Sequence, residues 1–351
     1  MKSHITILAL LILLAGCVST PRREAPPVIE PLRKADTAEL QKRTAEFRQL
    51  ISGLKLRGAG CFVSAVVKSN IPIDKVMTGV AALGFNRIYA FITSETELDG
   101  EFQRFLAAAA EKSLPVEVVL CQRDFFNRSR GNKVLRRILP RHPELPQAAE
   151  MVAEFNRELP PEHRIAGITV VLQPHCFDHA MTAAPHEQIY AWSDESYGIG
   201  GDNDLLMRNA FDLLKELPRK TGGLPLTVAI QDFFHDKATE GKLSMGTIKD
   251  FAAAIVPAPR LLINNSGNRP TQLVDAVSRE LAAAPAGTEI AVVINLANHT
   301  SVNAGALRRR DWNDMLRSLR YMLEKTSSEP AFSGVVIGPL AALEFLRAEK
   351  D

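Results

Sequence analysis

The chain has 351 residues, of which 42 are lysine or arginine and 40 are aspartate or glutamate, giving a formal net charge of +2. A balance this even provides no broad basic surface, so we expect no nucleic acid among the partners of this protein. The length suits one large domain with long loops, once the N-terminal segment is set aside.

The N-terminal segment has the layout of an export signal. Lys2 precedes an almost unbroken apolar run over residues 5–14, which is too short to cross a bilayer as a helix. The run ends in Leu14-Ala15-Gly16-Cys17, which resembles the lipobox of bacterial lipoproteins. The resemblance implies a signal peptide over residues 1–16, acylation of Cys17, and a stable lipid anchor in the membrane. An ordinary signal peptide with a coincidental cysteine is the alternative.

The residues after Cys17 extend this expectation. Val18 and Ser19 lack the aspartate that would resemble an inner-membrane retention signal, which favours the outer membrane of a bacterial cell envelope. Residues 18–35 contain four prolines among charged side chains, a composition typical of an extended linker. We therefore expect a tether over residues 17–35 and one folded domain over residues 36–351.

The domain opens with a predicted helix and continues as a regular alternation. Asp36 and Glu39 resemble a capping box at the start of the helix, and Phe47 and Ile51 share one of its faces. Eight apolar, β-branched runs then alternate with segments of helical period. The predicted strands are 61–67, 87–93, 116–122, 167–173, 226–232, 260–265, 289–295 and 334–338. The predicted helices are 73–83, 100–113, 147–158, 203–217, 245–255, 270–284, 311–325 and 340–349.

This alternation determines the predicted fold. Strands that are apolar at nearly every position need cover on both faces, and intervening helices make the strands parallel. Eight such units predict a single (β/α)8 barrel with an extra N-terminal helix. A doubly wound open sheet is the alternative, although no GxGxxG sequence follows the first strand.

Polar side chains collect where the predicted strands end, which is the face where such barrels carry their sites. Amides and imidazoles at these positions suit the hydroxyl groups of sugars, although any barrel mouth is polar where it meets water. Three connections on this face are long: 123–146, 174–202 and 233–244. Trp192, in the connection 174–202, can stack on a sugar ring or pack within its own loop. The candidate ligand-binding residues are Gln173, His175, Trp192, Asp232, Asn264, Asn295 and Asn298.

The fourth predicted strand carries the most specific motif. The run from Ile165 to His175 resembles the fourth strand of glycoside-hydrolase-like barrels, where a Gly-Ile-His-Leu-Asp-x-Glu-Pro-His/Tyr pattern places two acids at the mouth. Here Val171 stands in place of the aspartate and Gln173 in place of the glutamate. Glycoside hydrolysis generally needs a carboxylic acid and a second carboxylate, so the resemblance implies a sugar-binding barrel without efficient catalysis.

Other carboxylates could restore catalysis and define the alternative, an active glycoside hydrolase. Glu95 and Asp124 follow predicted strands, and Asp232 is followed directly by Phe233 and Phe234, where a partly dry setting would raise a carboxyl pKa. A helix N-cap is the competing interpretation of Asp232.

Two minor alternatives are a metal-dependent hydrolase and a structural envelope protein. The loop residues His175, Asp178, His179, His235, Asp236 and His299 could bind a divalent metal, but no zinc-type spacing occurs, and we expect neither a metal nor another cofactor.

Beyond Cys17 the chain has three cysteines, so at most one internal disulfide can form. Cys121 and Cys176 lie near the ends of predicted neighbouring strands and are the favoured pair. Cys61 would then remain outside the disulfide.

Overall fold

The computed structural model describes residues 37–68, 71–92, 98–122, 145–174, 202–255, 259–264, 270–295 and 312–338. Within these ranges, no helix combines the length and the apolar character needed to cross a membrane.

Eight parallel strands form a closed barrel in which each strand pairs with its neighbours along the chain. The ring closes between the first and last strands, where Leu56 pairs with Gly334. The strands are β1 (Leu56–Phe62), β2 (Arg87–Ile92), β3 (Val116–Cys121), β4 (Gly167–Val171), β5 (Leu226–Gln231), β6 (Arg260–Asn264), β7 (Glu289–Asn295) and β8 (Phe332–Gly338). The predicted (β/α)8 barrel is therefore confirmed, and the open sheet is excluded.

Helices surround the barrel and connect successive strands. They are α1 (Thr37–Ile51), α2 (Val63–Val67), α3 (Ile73–Ala82), α4 (Gly100–Glu111), α5 (Leu145–Glu158), α6 (Asn203–Glu216), α7 (Phe233–Thr239), α8 (Ile248–Ala254), α9 (Pro270–Ala283) and α10 (Trp312–Thr326). Helix α4 shows how the sequence forms them. The Asp99 side chain caps its first turn, and Phe102, Phe105, Leu106 and Ala109 form one buried stripe at helical spacing.

Two predicted elements are wrong. Strand β1 begins at Leu56 rather than Cys61, and residues 63–67 form the short helix α2. The connection 233–244, predicted as a long loop, begins with helix α7. Helix α8 also starts later than predicted, at Ile248, because Thr247 and Asp250 form a capping box there.

Apolar side chains occupy two separate layers, as the alternation of a strand requires. The larger layer lies between strands and helices, and it includes Phe47 and Ile51 of α1, as predicted. The smaller one fills the barrel interior. Its buried members are Leu56, Tyr89, Val119, Val171, Ala229, Leu262, Ala291 and Val336.

Gly334 allows the barrel to close. It follows a register irregularity between β7 and β8 and has φ +150°. A Cβ added at Gly334 would lie 1.8 Å from the carbonyl oxygen of Leu56 on β1. Only glycine permits so close an approach of the two strand backbones.

Candidate functional site

The two ends of the barrel interior differ in charge. At the end where the strands begin, the inward positions of β2, β3, β6 and β7 hold Arg87, Glu117, Arg260 and Glu289. At the end where the strands finish, the corresponding inward positions hold neutral residues. Because the site of this fold lies where the strands finish, the neutral end is the candidate site.

The charged end is a connected network. Glu117 is 1% exposed, pairs with Arg87 and Arg260, and accepts a hydrogen bond from the Thr169 hydroxyl at 2.7 Å. Arg260 also donates to Glu289 at 3.2 Å. Burial alone would lower the pKa of Arg260, but these carboxylates raise it above its ordinary value. The positive charges of the arginines are therefore balanced by the glutamates inside the barrel. This balance identifies the charged end as structural.

The neutral end contains a row of amides on three consecutive strands. Gln231 ends β5 and pairs in register with Asn264 at the end of β6. Both follow buried inward residues by two positions, Ala229 and Leu262, so strand alternation directs them into the mouth. Both are half-buried.

Gln173 continues this row beyond the end of β4. Its backbone N–H donates to the side-chain oxygen of the buried Gln122 at 2.8 Å, while the Leu172 N–H donates to Ala229 at 2.9 Å. These two bonds hold the chain extended past Val171, so Gln173 lies on the same side as Val171 and is half-buried.

Val171 belongs to the apolar filling of the barrel. Its side chain is 7% exposed and packs in the inner cluster with residues such as Val119 and Ala229. The position at which the motif of the fourth strand has an aspartate therefore provides no acid to the mouth.

An aromatic pair lies on the other side of the mouth. The rings of Phe62, at the end of β1, and Phe91, on β2, have centroids 5.1 Å apart. Phe62 is 46% exposed. The sequence interpretation missed this pair because it placed Phe62 near the start of a strand over residues 61–67 rather than at a strand end. The available signal was an aromatic directly after the alternating run Gly58-Ala59-Gly60-Cys61.

Asp232 caps the start of helix α7, which is the competing interpretation that the sequence allowed. Its carboxylate accepts a hydrogen bond from the Phe233 N–H at 2.9 Å at the start of α7, and the residue is 5% exposed. It follows the inward-facing Gln231, so strand alternation directs it away from the mouth. Its predicted roles in catalysis and ligand binding remain predictions.

Acidic groups surround Asp232 on the helix side of the barrel. Glu280 of α9 is 1% exposed, and its Oε2 has no hydrogen-bond partner. Burial, together with the nearby negative charges of Asp236 and Asp232, raises the pKa of Glu280 to about 8. Arg279 pairs with Asp236 at 2.9 Å.

His235 in this region acts as an acceptor within the fold. Its Nδ1 accepts from the Ile248 N–H at 3.4 Å, and burial lowers its pKa against the opposing effect of Asp236 and Asp250. In the part of the chain that the structure describes, no group of three histidine, cysteine or acidic side chains is placed to hold a metal ion.

The remaining predicted residues divide into two groups. Asn295 ends β7, as predicted. Glu95, Asp124, His175, Trp192 and Asn298 lie outside the described residues, as does Cys17. The predicted pairing of Cys121 with Cys176 also stays a prediction, because Cys176 lies outside them. Cys61 is a buried free thiol whose pKa burial raises to about 12.

Comparisons with known proteins do not assign this chain to a family. No family model and no curated protein sequence matches the chain. Similar solved structures include the intracellular xylanase TsXylA from Thermoanaerobacterium saccharolyticum, with 10% identity, TM-score 0.48, and coverage of 83% of this chain and 88% of the xylanase. A chitinase from Chromobacterium violaceum has 14% identity, TM-score 0.39, and 68% coverage of each chain.

A further similar structure has different chemistry. The 2,3-dimethylmalate lyase has 10% identity and TM-score 0.38, and the match covers 87% of this chain and 84% of the lyase. At identities this low, none of these likenesses identifies a function for this chain.

Proposed function

We propose that this protein is a lipid-anchored protein of the bacterial cell envelope whose barrel binds a neutral glycan at its mouth without efficient catalysis. The observation that carries the proposal is the composition of the mouth. Its described inward-facing residues include the amides Gln173, Gln231 and Asn264 but no carboxylate.

A row of amides suits sugar hydroxyls for a simple reason. Each amide offers both donors and acceptors, and a hydroxyl group also donates and accepts. Gln231 and Asn264 lie side by side in the sheet register, so the strands fix their spacing. Two adjacent hydroxyls on one sugar ring can therefore be bound by neighbouring strands.

The proposed lack of efficient catalysis is supported by the same positions. Gln173 cannot protonate a leaving oxygen, and Val171 is packed in the apolar interior. Asp232 caps α7 and is buried. An active hydrolase would need Glu95 or Asp124, or a rearranged Asp232, as its acid, and this remains the alternative function.

Glycan binding is tested by calorimetry on the full-length protein in a detergent without a sugar headgroup. A panel of neutral and acidic oligosaccharides identifies the ligand. Asn264→Ala and Gln231→Ala should each weaken binding by roughly 3- to 10-fold, the value of one hydrogen bond. Gln103→Ala removes an exposed amide on α4 and should leave binding unchanged. No saturable binding to any oligosaccharide would refute the proposal.

The lipid anchor is tested separately. Cells that express the protein are fed an alkyne fatty acid, and the protein is then captured and fractionated. We expect label in the wild type and none in Cys17→Ser, which should also leave the membrane fraction. Equal labelling of both proteins would refute acylation at Cys17.

A further inference from the structure

Phe62 is unusual among the large apolar side chains of this protein. Only Phe62, at 46%, and Met151 on α5, at 45%, are strongly exposed among the described residues. A phenylalanine gains about 1.5–3 kcal/mol when it is buried, so an exposed one contributes little to folding. Unlike Met151, Phe62 lies at a strand end in the mouth and has an aromatic neighbour, Phe91, behind it.

Two strands, β1 and β8, contribute no side chain to the barrel interior next to this aromatic pair, because each has a glycine there. Gly60 of β1 and Gly338 of β8 face each other, and a Cβ at Gly338 would lie 3.0 Å from the Gly60 Cα. A Cβ at Gly60 would lie 3.5 Å from the Phe91 ring. Neither β1 nor β8 therefore projects a side chain between the aromatic pair and the barrel axis at this level.

The aromatic pair and the amide row face each other across the barrel. In a closed ring of eight strands, β5 is the strand opposite β1, and β6 is opposite β2. Phe62 and Phe91 therefore form one wall, here called the aromatic wall, and Gln231 and Asn264 lie on the opposite side. A molecule in the mouth meets an apolar flat surface on one side and hydrogen-bonding groups on the other.

We propose that the aromatic wall is a binding subsite for the apolar face of a neutral pyranose ring, with Phe62 as its main contact. This inference rests on the proposed function. The C–H groups on one face of a pyranose carry partial positive charge and pack on the negative face of an aromatic ring. The hydroxyls at the far edge then point toward Gln231 and Asn264.

The chemistry of both walls defines the ligand class. An entirely apolar ligand would cover Phe62 but leave the amides opposite without partners, which is unfavourable. An acidic sugar would place its carboxylate between two walls whose four named residues are all uncharged. A neutral sugar with one apolar face satisfies both walls.

The test compares Phe62→Ala, Phe62→Tyr and Met151→Ala in the full-length protein, using neutral cello-, xylo-, chito- and galacto-oligosaccharides and oligogalacturonate as the acidic probe. We expect Phe62→Ala to weaken neutral-sugar binding about tenfold, because the ring contact and its buried area are lost. Phe62→Tyr keeps an aromatic face and should bind within about twofold of the wild type. Met151→Ala, with similar exposure away from the mouth, should bind like the wild type.

The outcomes separate the two proposals. If the wild type binds a neutral sugar and Asn264→Ala weakens it while Phe62→Ala does not, the subsite is refuted and the proposed function stands. Tighter binding of oligogalacturonate than of every neutral probe also refutes the subsite. If the wild type binds no oligosaccharide, the proposed function itself fails. Circular dichroism of each variant establishes that it is folded.

Discussion

Glu117 of β3 and Arg260 of β6 form an ion pair inside the barrel, with 3.1 Å between Oε1 and Nη1, although 143 positions separate them in the sequence. Arg87 pairs with the same carboxylate, and Thr169 donates to its other oxygen. Glu117 is buried, and the two arginines that share its carboxylate are each about a quarter exposed.

Replacing Glu117 should therefore destabilise the fold more than most surface changes. We expect Glu117→Gln to lower the free energy of unfolding by about 3–5 kcal/mol, since it removes the buried carboxylate that Arg87 and Arg260 share. Urea unfolding measures the change. The control is Glu101→Gln, which removes the charge of Glu101 from its exposed ion pair with Arg104. It should change stability by less than about 0.5 kcal/mol. Equal effects of the two substitutions would show that the interior network is not stabilising.

Glu280 should make stability depend on pH. Its pKa is about 8 in the folded protein, against an ordinary value of 4.5. Between these values the unfolded chain releases a proton that the folded protein retains, so stability should fall as pH rises from about 4.5 to 8. The total loss is up to about 5 kcal/mol, since each pKa unit corresponds to about 1.4 kcal/mol.

Glu280→Gln should remove this dependence. The variant should unfold like the wild type near pH 4 and become increasingly more stable than it toward pH 8. Thermal or urea unfolding across this pH range measures the difference. The exposed Glu216→Gln provides the matched control and should follow the wild type. A constant difference between Glu280→Gln and the wild type at all pH values would contradict the raised pKa.

Gly334 should tolerate no side chain. With φ +150° and a Cβ position 1.8 Å from the Leu56 carbonyl oxygen, Gly334→Ala requires the β1 and β8 backbones to separate. We expect a loss of several kcal/mol or failure to fold. Gly100→Ala is the control, because no atom lies within 4 Å of that Cβ and alanine favours the helix it begins. Similar unfolding midpoints for the two variants would contradict the proposed basis of closure.

Cys61 should be unreactive in the folded protein. Its thiol is buried, and its pKa of about 12 leaves almost no thiolate at pH 8. Peptide mapping after alkylation should show Cys61 modified only when denaturant is present. Modification at equal rates in native and denatured protein would contradict this. A non-reducing digest of the same sample tests the predicted Cys121–Cys176 disulfide.

The sequence was most informative where strands are continuously apolar. Residues 289–295 were predicted as a strand and form β7 with those bounds, since the run Ile290–Ile294 is apolar without interruption. Strand β1 was placed too late because Gly58 and Gly60 have low strand propensity and resemble a turn. In the barrel, Gly58 is needed for packing: a Cβ there would lie 2.5 Å from the ring of Tyr89.

The sequence also located candidate residues at the mouth for a related reason, and their ligand-binding roles stay predictions. Gln173 and Asn264 were identified because strand ends define the mouth of this fold. Asp232 was preferred to its neighbour Gln231, although only Gln231 shares the inward side with Ala229. A shift of one residue changes the face of a strand, and the sequence does not fix that register without the neighbouring strands.

The most direct test of glycan binding without catalysis is release of reducing ends from the oligosaccharide panel, measured beside binding. Wild-type protein and Asp232→Asn are compared, because asparagine still caps a helix while it removes the acid. We predict saturable binding of at least one neutral oligosaccharide and no release above background by either protein. Release by the wild type would contradict the proposal: its loss in Asp232→Asn would identify Asp232 as the acid, and its persistence would direct attention to Glu95 and Asp124.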